Sequence, residues 1–452
     1  MKKLNIRWLV IVLLFSGLFM GKSDGLMAKT YYVATSGSDD YPGTLDSPWA
    51  TIEKAIETAQ AGDIVYIRGG VYYSAPIGIR PSDGYGNNGT SSNYIHYFNY
   101  PGESPIFDFG ASEAPGNYIT GFFLQYANFI HFKGLTIRNV EQKRDYVEAM
   151  GIAAISCSNL IFENMTVHDC GGNAFRYAGA MGYYGITYDS TYFINCDAYN
   201  NCDSRPRTTQ GDPALGGAAD GFKSWNEPGA YIEFRGCRAW NNSDDGFDPS
   251  ADAVTVIENC WSFSNGYLDG DGTGFKTGGI YNDYGNIITR KVTNCIAAFN
   301  RATGFFLLEY ADYYRTNARF YNNTAYANTY GFIFSRNATN PIVLGIWKNN
   351  IAYKNTGLPI SNAYQQYTES NNTWDRVDGY PGYINSVEVA VNDSDFVSLN
   401  VEELKRPRNE DGPLPDVNFL RLANGSDLID AGIDVNLEYF GKAPDIGAFE
   451  VK

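Results

Sequence analysis

The residues best equipped for chemistry lie between Asp220 and Gly279. Ala219-Asp220-Gly221-Phe222-Lys223 is followed by Asn242-Ser243-Asp244-Asp245-Gly246-Phe247-Asp248, and then by Gly272-Thr273-Gly274-Phe275-Lys276-Thr277-Gly278-Gly279. The phrase Gly-Phe occurs three times, each time beside a carboxylate or a lysine. Asp220, Asp244, Asp245 and Asp248 gather four like charges, which repel unless a cation holds them, and oxygen donors in this number suit calcium. An Asp-Asp pair is also the ordinary content of a solvated acidic turn. The shared place of Asp220 and Asp245 before Gly-Phe favours a built site. Lys276 would by default be a surface lysine. Its neighbouring glycines, however, let a polymer approach closely, and a metal beside it would favour the neutral amine, which can act as a general base.

Such side chains need a scaffold that brings distant residues together, and the sequence contains one. Asn195-Cys196-Asp197-Ala198-Tyr199-Asn200-Asn201 recurs as Gly236 to Asn242, Asn259 to Asn265, Asn294 to Asn300, Asn322 to Asn328 and Asn349 to Asn355, with earlier copies beginning at Gly134 and Asn164. A period with a short minimum and longer variants is that of a parallel β-helix, in which each coil is a circuit of short strands and insertions swell the turns. Asn suits the coil turn because its amide can bond the coils above and below while its backbone tolerates left-handed angles. A second register follows each Asn, in Asp245 to Asp248, Thr273 to Lys276, Thr303 to Phe306 and Tyr330 to Ile333. With each Phe in the core, the next residue points outward. Equivalent residues then stack about 4.8 Å apart, making Asp248 and Lys276 neighbours. Strict alternation would place Asp245 and Asp248 on opposite faces, so the chain must bend between them.

The fold class expected is therefore all-β, a parallel β-helix with an N-terminal capping helix. Thr30 to Ala34 and Asp63 to Ile67 read as strands and Gly69-Gly70 as a turn. Pro48 to Ala61 reads as a helix capped by Ser47 and ended by Gly62, with Ile52, Ala55, Ile56 and Ala59 on one apolar face. Repeat arrays need such a lid. The expected layout is a signal peptide at 1–28 and one catalytic domain at 29–452, with 29–75 as cap and about 387–452 as an irregular closing segment. Lys2, Lys3 and Arg7 precede an apolar run, Trp8 to Met20, that is too short to span a membrane. The mature protein is expected to be exported, periplasmic or secreted, without a lipid-attachment cysteine, and monomeric. A net charge of −16 argues against nucleic acid and anionic membranes as partners. Of seven cysteines, Cys196, Cys237, Cys260 and Cys295 share one repeat position, so stacked buried thiols are expected rather than disulfides.

Taken together, Asp-Gly-Phe, then Gly-Cys-Arg-Ala-Trp with Asn-Ser-Asp-Asp-Gly-Phe-Asp, then Gly-Phe-Lys among glycines resembles the family-nine polysaccharide lyases. These are right-handed parallel β-helix enzymes that cleave pectin-type polymers by β-elimination. The resemblance implies calcium bound by Asp220, Asp244, Asp245 and Asp248, Lys276 as the Brønsted base, and an acidic pectic polysaccharide as substrate. Lys223, Arg176, Arg205, Arg207 and Arg301 are candidate carboxylate clamps. The family's substrates include homogalacturonan (pectate) and the rhamnogalacturonan I backbone. Aromatic inserts at Tyr183 to Tyr188 and Glu309 to Tyr314 tilt the expectation toward rhamnogalacturonan I. Two other classes stand beside this reading. An inverting hydrolase would use Asp244 and Asp245 with water, although none of the three histidines lies in the Gly-His-Gly segment of polygalacturonases. A non-catalytic β-helix adhesin would explain the repeats but not Lys276 beside four aspartates.

Overall fold

The structure, a computed structural model, describes residues 28–112, 118–179, 190–206, 215–225, 230–249, 253–278, 287–308, 317–334, 344–361, 367–374 and 391–452. Its strands are short and pair in parallel along three ladders. One ladder runs from Thr30–Val33 through Ile64–Ile67 to Tyr367–Ser370. A second runs from Ile77–Ile79 through Tyr118–Gln125 to Ile360–Ser361. The third holds ten strands, from Gly70–Tyr73 to Ile351–Tyr353. The long strand Glu148–Glu163 serves the first two ladders, because it turns a corner at Ser156, whose φ is 52°. Among the described residues there is one α-helix, and no helix is long and apolar enough to cross a membrane.

The interior is built from columns of identical side chains. Phe175, Phe222, Phe247, Phe275, Phe305 and Phe332 stack in sequence, with ring centroids 4.7–5.0 Å apart. This spacing is the strand separation itself, so the rings overlap without any strain on the ladder. Cys196, Cys237, Cys260 and Cys295 are buried and free, as the repeat implied. Their column continues as Asn323, Asn350 and Asn372, and the amide of Cys295 donates to Asn323 Oδ1 at 3.0 Å.

The two properties expected of one coil asparagine coincide in the left-handed pairs Asn200–Asn241 and Asn322–Asn349, which bond each other, but the longest ladder belongs to other residues. Asn195, Asn259, Asn294 and Asn322 have φ near 54°, at places where Gly134 and Gly236 also occur, and they turn the chain. The residue closing each motif forms the ladder instead. Asn201 donates to Asn242 at 2.8 Å, Asn242 to Asn265 at 3.0 Å, Asn265 to Asn300 at 2.9 Å, Asn300 to Asn328 at 3.1 Å and Asn328 to Asn355 at 3.2 Å.

Three boundaries differ from expectation. The helix spans Ile52–Thr58 and is capped by Thr51, whose hydroxyl accepts from the Lys54 amide at 3.2 Å. Pro48 to Ala50 instead runs beside the first strand, with Trp49 stacked on Tyr31 and Asp39 binding the amides of Ala50 and Thr51. Tertiary pairing there overrides a local start signal. The coils also begin earlier than the Asn motif, since Gly70–Tyr73 and Pro105–Asp108 already belong to the third ladder, so residues 29–75 are partly coil and Gly70 opens a strand. Finally, residues 391–452 lie lengthwise along the outside of the third ladder rather than only closing its end. Asp411 O accepts from Asn164, Arg408 pairs with Asp197, Phe419 packs on Tyr326, and Ala431 O accepts from Asn371. The signal segment up to residue 27 and the inserts Tyr183 to Tyr188 and Glu309 to Tyr314 lie outside the described residues.

Candidate active site

The acidic cluster grows out of a side-chain ladder on the second sheet. Asn173, Asp220, Asp245 and Thr273 occupy one position on successive coils. The Asp220 amide donates to Asn173 Oδ1 at 3.1 Å, the Asp245 amide to Asp220 Oδ1 at 3.0 Å, and the Thr273 amide to Asp245 Oδ1 at 2.6 Å. One oxygen of each aspartate therefore does the work of an asparagine and the other is left for the site. The following glycines allow this approach. A Cβ on Gly246 would lie 2.0 Å from Ser262 Oγ and 2.9 Å from the Gly274 carbonyl.

Asp220, Asp244 and Asp245 each offer a carboxylate oxygen within 4.8 Å of the others, and all three side chains are buried. Asp248 lies beside this trio, bonded to Lys223 and 3.8 Å from Lys276 Nζ. The bend expected between Asp245 and Asp248 is present, since Lys276 Nζ reaches Asp245 Oδ2 at 2.9 Å as well. Lys223 Nζ is 3.3 Å from Asp220 Oδ2. Burial opposes charge on both lysines, but the carboxylates outweigh it (Asp245, Asp248 and Asp220 for Lys276, Asp220 and Asp248 for Lys223), and both are held above the ordinary lysine value. Burial raises the acids in turn, Asp244 to about 9 with the charges of Asp220 and Asp245 adding, and Asp245 to about 7 against the pull of Lys276. When all are ionised, Asp220, Asp244, Asp245 and Asp248 exceed the two ammonium groups by two negative charges, and Asp271 beside Lys276 adds a third. A buried all-oxygen donor set with that excess fits a hard divalent cation such as calcium.

The other candidates divide. Arg176 lies on the strand beside Lys223, paired in register with it, and its guanidinium is held by Glu148 at 3.0 Å. Arg301 anchors a neighbouring loop through the Gly270 carbonyl at 3.1 Å and that of Leu268. Arg205 is turned to Asp145 at 3.3 Å and makes no contact with the acidic cluster among the described residues. Arg207 lies outside the described residues. Sequence reasoning missed Asp271, whose carboxylate is 3.2 Å from Lys276 Nζ and whose amide donates to Asp244 Oδ1 at 2.8 Å. Its signal was present as Asp-Gly-Asp-Gly just before Lys276. Asn173 was also missed, although Asn-Ala-Phe matches the Asp-Gly-Phe register.

The model of the Pel9A-like, right handed beta helix region matches residues 31–372, most of the chain. The chain belongs to this family. Pectate lyase L of Dickeya chrysanthemi is 30% identical over 443 residues, covering 93% of this chain and 90% of that protein. The crystal structure of pectate lyase Pel9A superposes with a TM-score of 0.68 at 27% identity, over 95% of this chain and 98% of that one. A rhamnogalacturonan lyase superposes with a TM-score of 0.62 at 26% identity, over 88% of this chain and 97% of that one. As a Pel9A-like protein the chain is a right-handed parallel β-helix and a polysaccharide lyase.

Proposed function

We propose that this Pel9A-like protein is an exported, calcium-dependent pectate lyase that cleaves homogalacturonan by β-elimination, with Lys276 as base. The observation that carries the reading is the convergence of Lys276 Nζ, 2.9 Å from Asp245, on the buried trio Asp220, Asp244 and Asp245. These three, with Asp248 beside them, would hold the cation. Calcium held there would supply positive charge that offsets the carboxylates and the uronate, favouring a neutral lysine and a more acidic C5 proton. Lys276 Nζ takes that proton. The C5–H electron pair becomes the C4–C5 double bond, the bond from C4 to the glycosidic oxygen breaks, and the leaving oxygen takes a proton from water. Arg176, oriented by Glu148, and Lys223 stand on adjacent strands and bind carboxylates of the polymer.

Pectate is supported over rhamnogalacturonan because pectate lyase L aligns over 93% of this chain, and pectate lyase Pel9A superposes over 95% with a TM-score of 0.68, against 88% and 0.62 for the rhamnogalacturonan lyase. The inverting-hydrolase alternative meets a geometric objection. Asp244 and Asp245 offer oxygens within 4.8 Å, closer than the roughly 6.5–9.5 Å that leaves room for an attacking water. Initial rates of ultraviolet absorbance on polygalacturonate and on rhamnogalacturonan I, each with calcium or EDTA, test the proposal. Faster, EDTA-sensitive elimination of polygalacturonate is expected. A faster rate on rhamnogalacturonan I, or a rate indifferent to EDTA, would refute it.

A further inference from the structure

The outward positions of the second ladder form one row. Asp248 and Lys276 are followed, toward the N-terminus, by Lys223, Arg176, Ala153, Phe123 and Gly78, all in register. At about 4.8 Å per strand, Phe123 lies roughly 24 Å from Lys276 along this row. There the row opens into a cavity of about 390 Å³ between the capping helix and the sheet, lined by Glu53, Glu57, Arg80, Tyr85, Thr120 and Phe123. This volume falls in the usual range of small-ligand sites, about 300–1,000 Å³.

Its floor is open because Gly78 has no side chain. A Cβ there would meet only Arg80 Nε, at 3.5 Å. That Nε is buried and has no hydrogen-bond partner. The Arg80 guanidinium lies over the Tyr85 ring, 5.2 Å from its centroid, and Tyr85 is itself 51% exposed. Phe123 supplies a second aromatic edge. Two carboxylates, a guanidinium and a hydroxyl beside aromatic rings are what a sugar requires, with the ring's C–H face on the aromatics and its hydroxyls on the polar groups. Two carboxylates, Glu53 and Glu57, face the single guanidinium of Arg80, which itself lies 3.6 Å from Asp83, so this end of the row is unfavourable for an anion.

We infer that this cavity is a remote carbohydrate subsite for a neutral sugar unit, distinct in charge from the basic and metal-binding part of the row. A neutral unit or branch of the same polysaccharide would reach it while an acidic stretch lies over Arg176 and Lys223, an extension that rests on the lyase reading. The test is calorimetric titration of the full chain, and of its Tyr85→Ala and Tyr85→Phe variants, with galactotetraose, arabinotetraose and tetragalacturonate. At least one neutral tetrasaccharide should bind saturably. Tyr85→Ala should weaken it about tenfold, Tyr85→Phe should retain it, and neither variant should change the melting temperature or the elimination rate on polygalacturonate. The inference is overturned if neither neutral sugar binds, if Tyr85→Ala leaves their binding unchanged, or if Tyr85→Ala weakens only tetragalacturonate. Neutral-sugar binding is read without elimination, so its failure leaves the lyase reading intact, and absence of elimination leaves this result intact.

Discussion

Asp244 is 8% exposed, and among the described residues neither Lys223 nor Lys276 pairs with it, so its charge has no direct counter-ion. Burial and the charges of Asp220 and Asp245 push its carboxyl up to about 9. Such a group destabilises the metal-free fold, a cost that a bound cation would offset. Asp244→Asn keeps the shape and the acceptor for the Asp271 amide. We expect it to stabilise the protein in EDTA by about 1–2 kcal/mol. We also expect it to abolish most of the stabilisation that calcium gives the wild type. Thermal melts of both proteins, in EDTA and in calcium, check this. An unchanged calcium-induced shift in Asp244→Asn would remove Asp244 from the metal site.

At the scale of the element, the coil is specified by its columns. Asn265 accepts from the backbone amide and Nδ2 of Asn242 and donates to Asn300 Oδ1 and to the Ala239 carbonyl. It is 1% exposed, so no water replaces it. Asn265→Ala leaves buried polar groups unpaired on two coils and should cost about 2–3 kcal/mol, measured by denaturant unfolding. A cost of a few tenths would mean that the ladder is dispensable. These columns are legible in the sequence because identical neighbours at a near-regular interval have few other uses. The register of the acidic cluster is legible for the same reason, as Asp220 and Asp245 fill the position of Asn173 and remain in phase with Phe222 and Phe247. What was not legible is equally physical. Cysteine and asparagine share one column, so no single residue type marks a coil. The first coils use Tyr72 and Phe107 in place of the Asn motif. Pro48 carries a helix-start signal that pairing with the first strand overrides.

Over the whole molecule, the tail illustrates the limit of local reading. Trp240, Trp261, Phe263 and Ile296 form an apolar outer face on the third ladder, and Leu404, Phe419, Leu428 and Ile446 cover it. Nothing periodic in residues 391–452 announces that role, because the partners lie 40 to 247 residues away and the contacts are irregular. The tail covers the third ladder, while the acidic cluster and Lys276 stand on the second. The central claim, that Lys276 acts as base beside a cation held by aspartates, is tested most directly by following ultraviolet absorbance and reducing ends together on polygalacturonate in calcium. The wild type should generate both in step. Lys276→Ala, still folded in calcium, should lose at least about 10²-fold of each. Reducing ends without absorbance, or an undiminished rate in Lys276→Ala, would contradict the account.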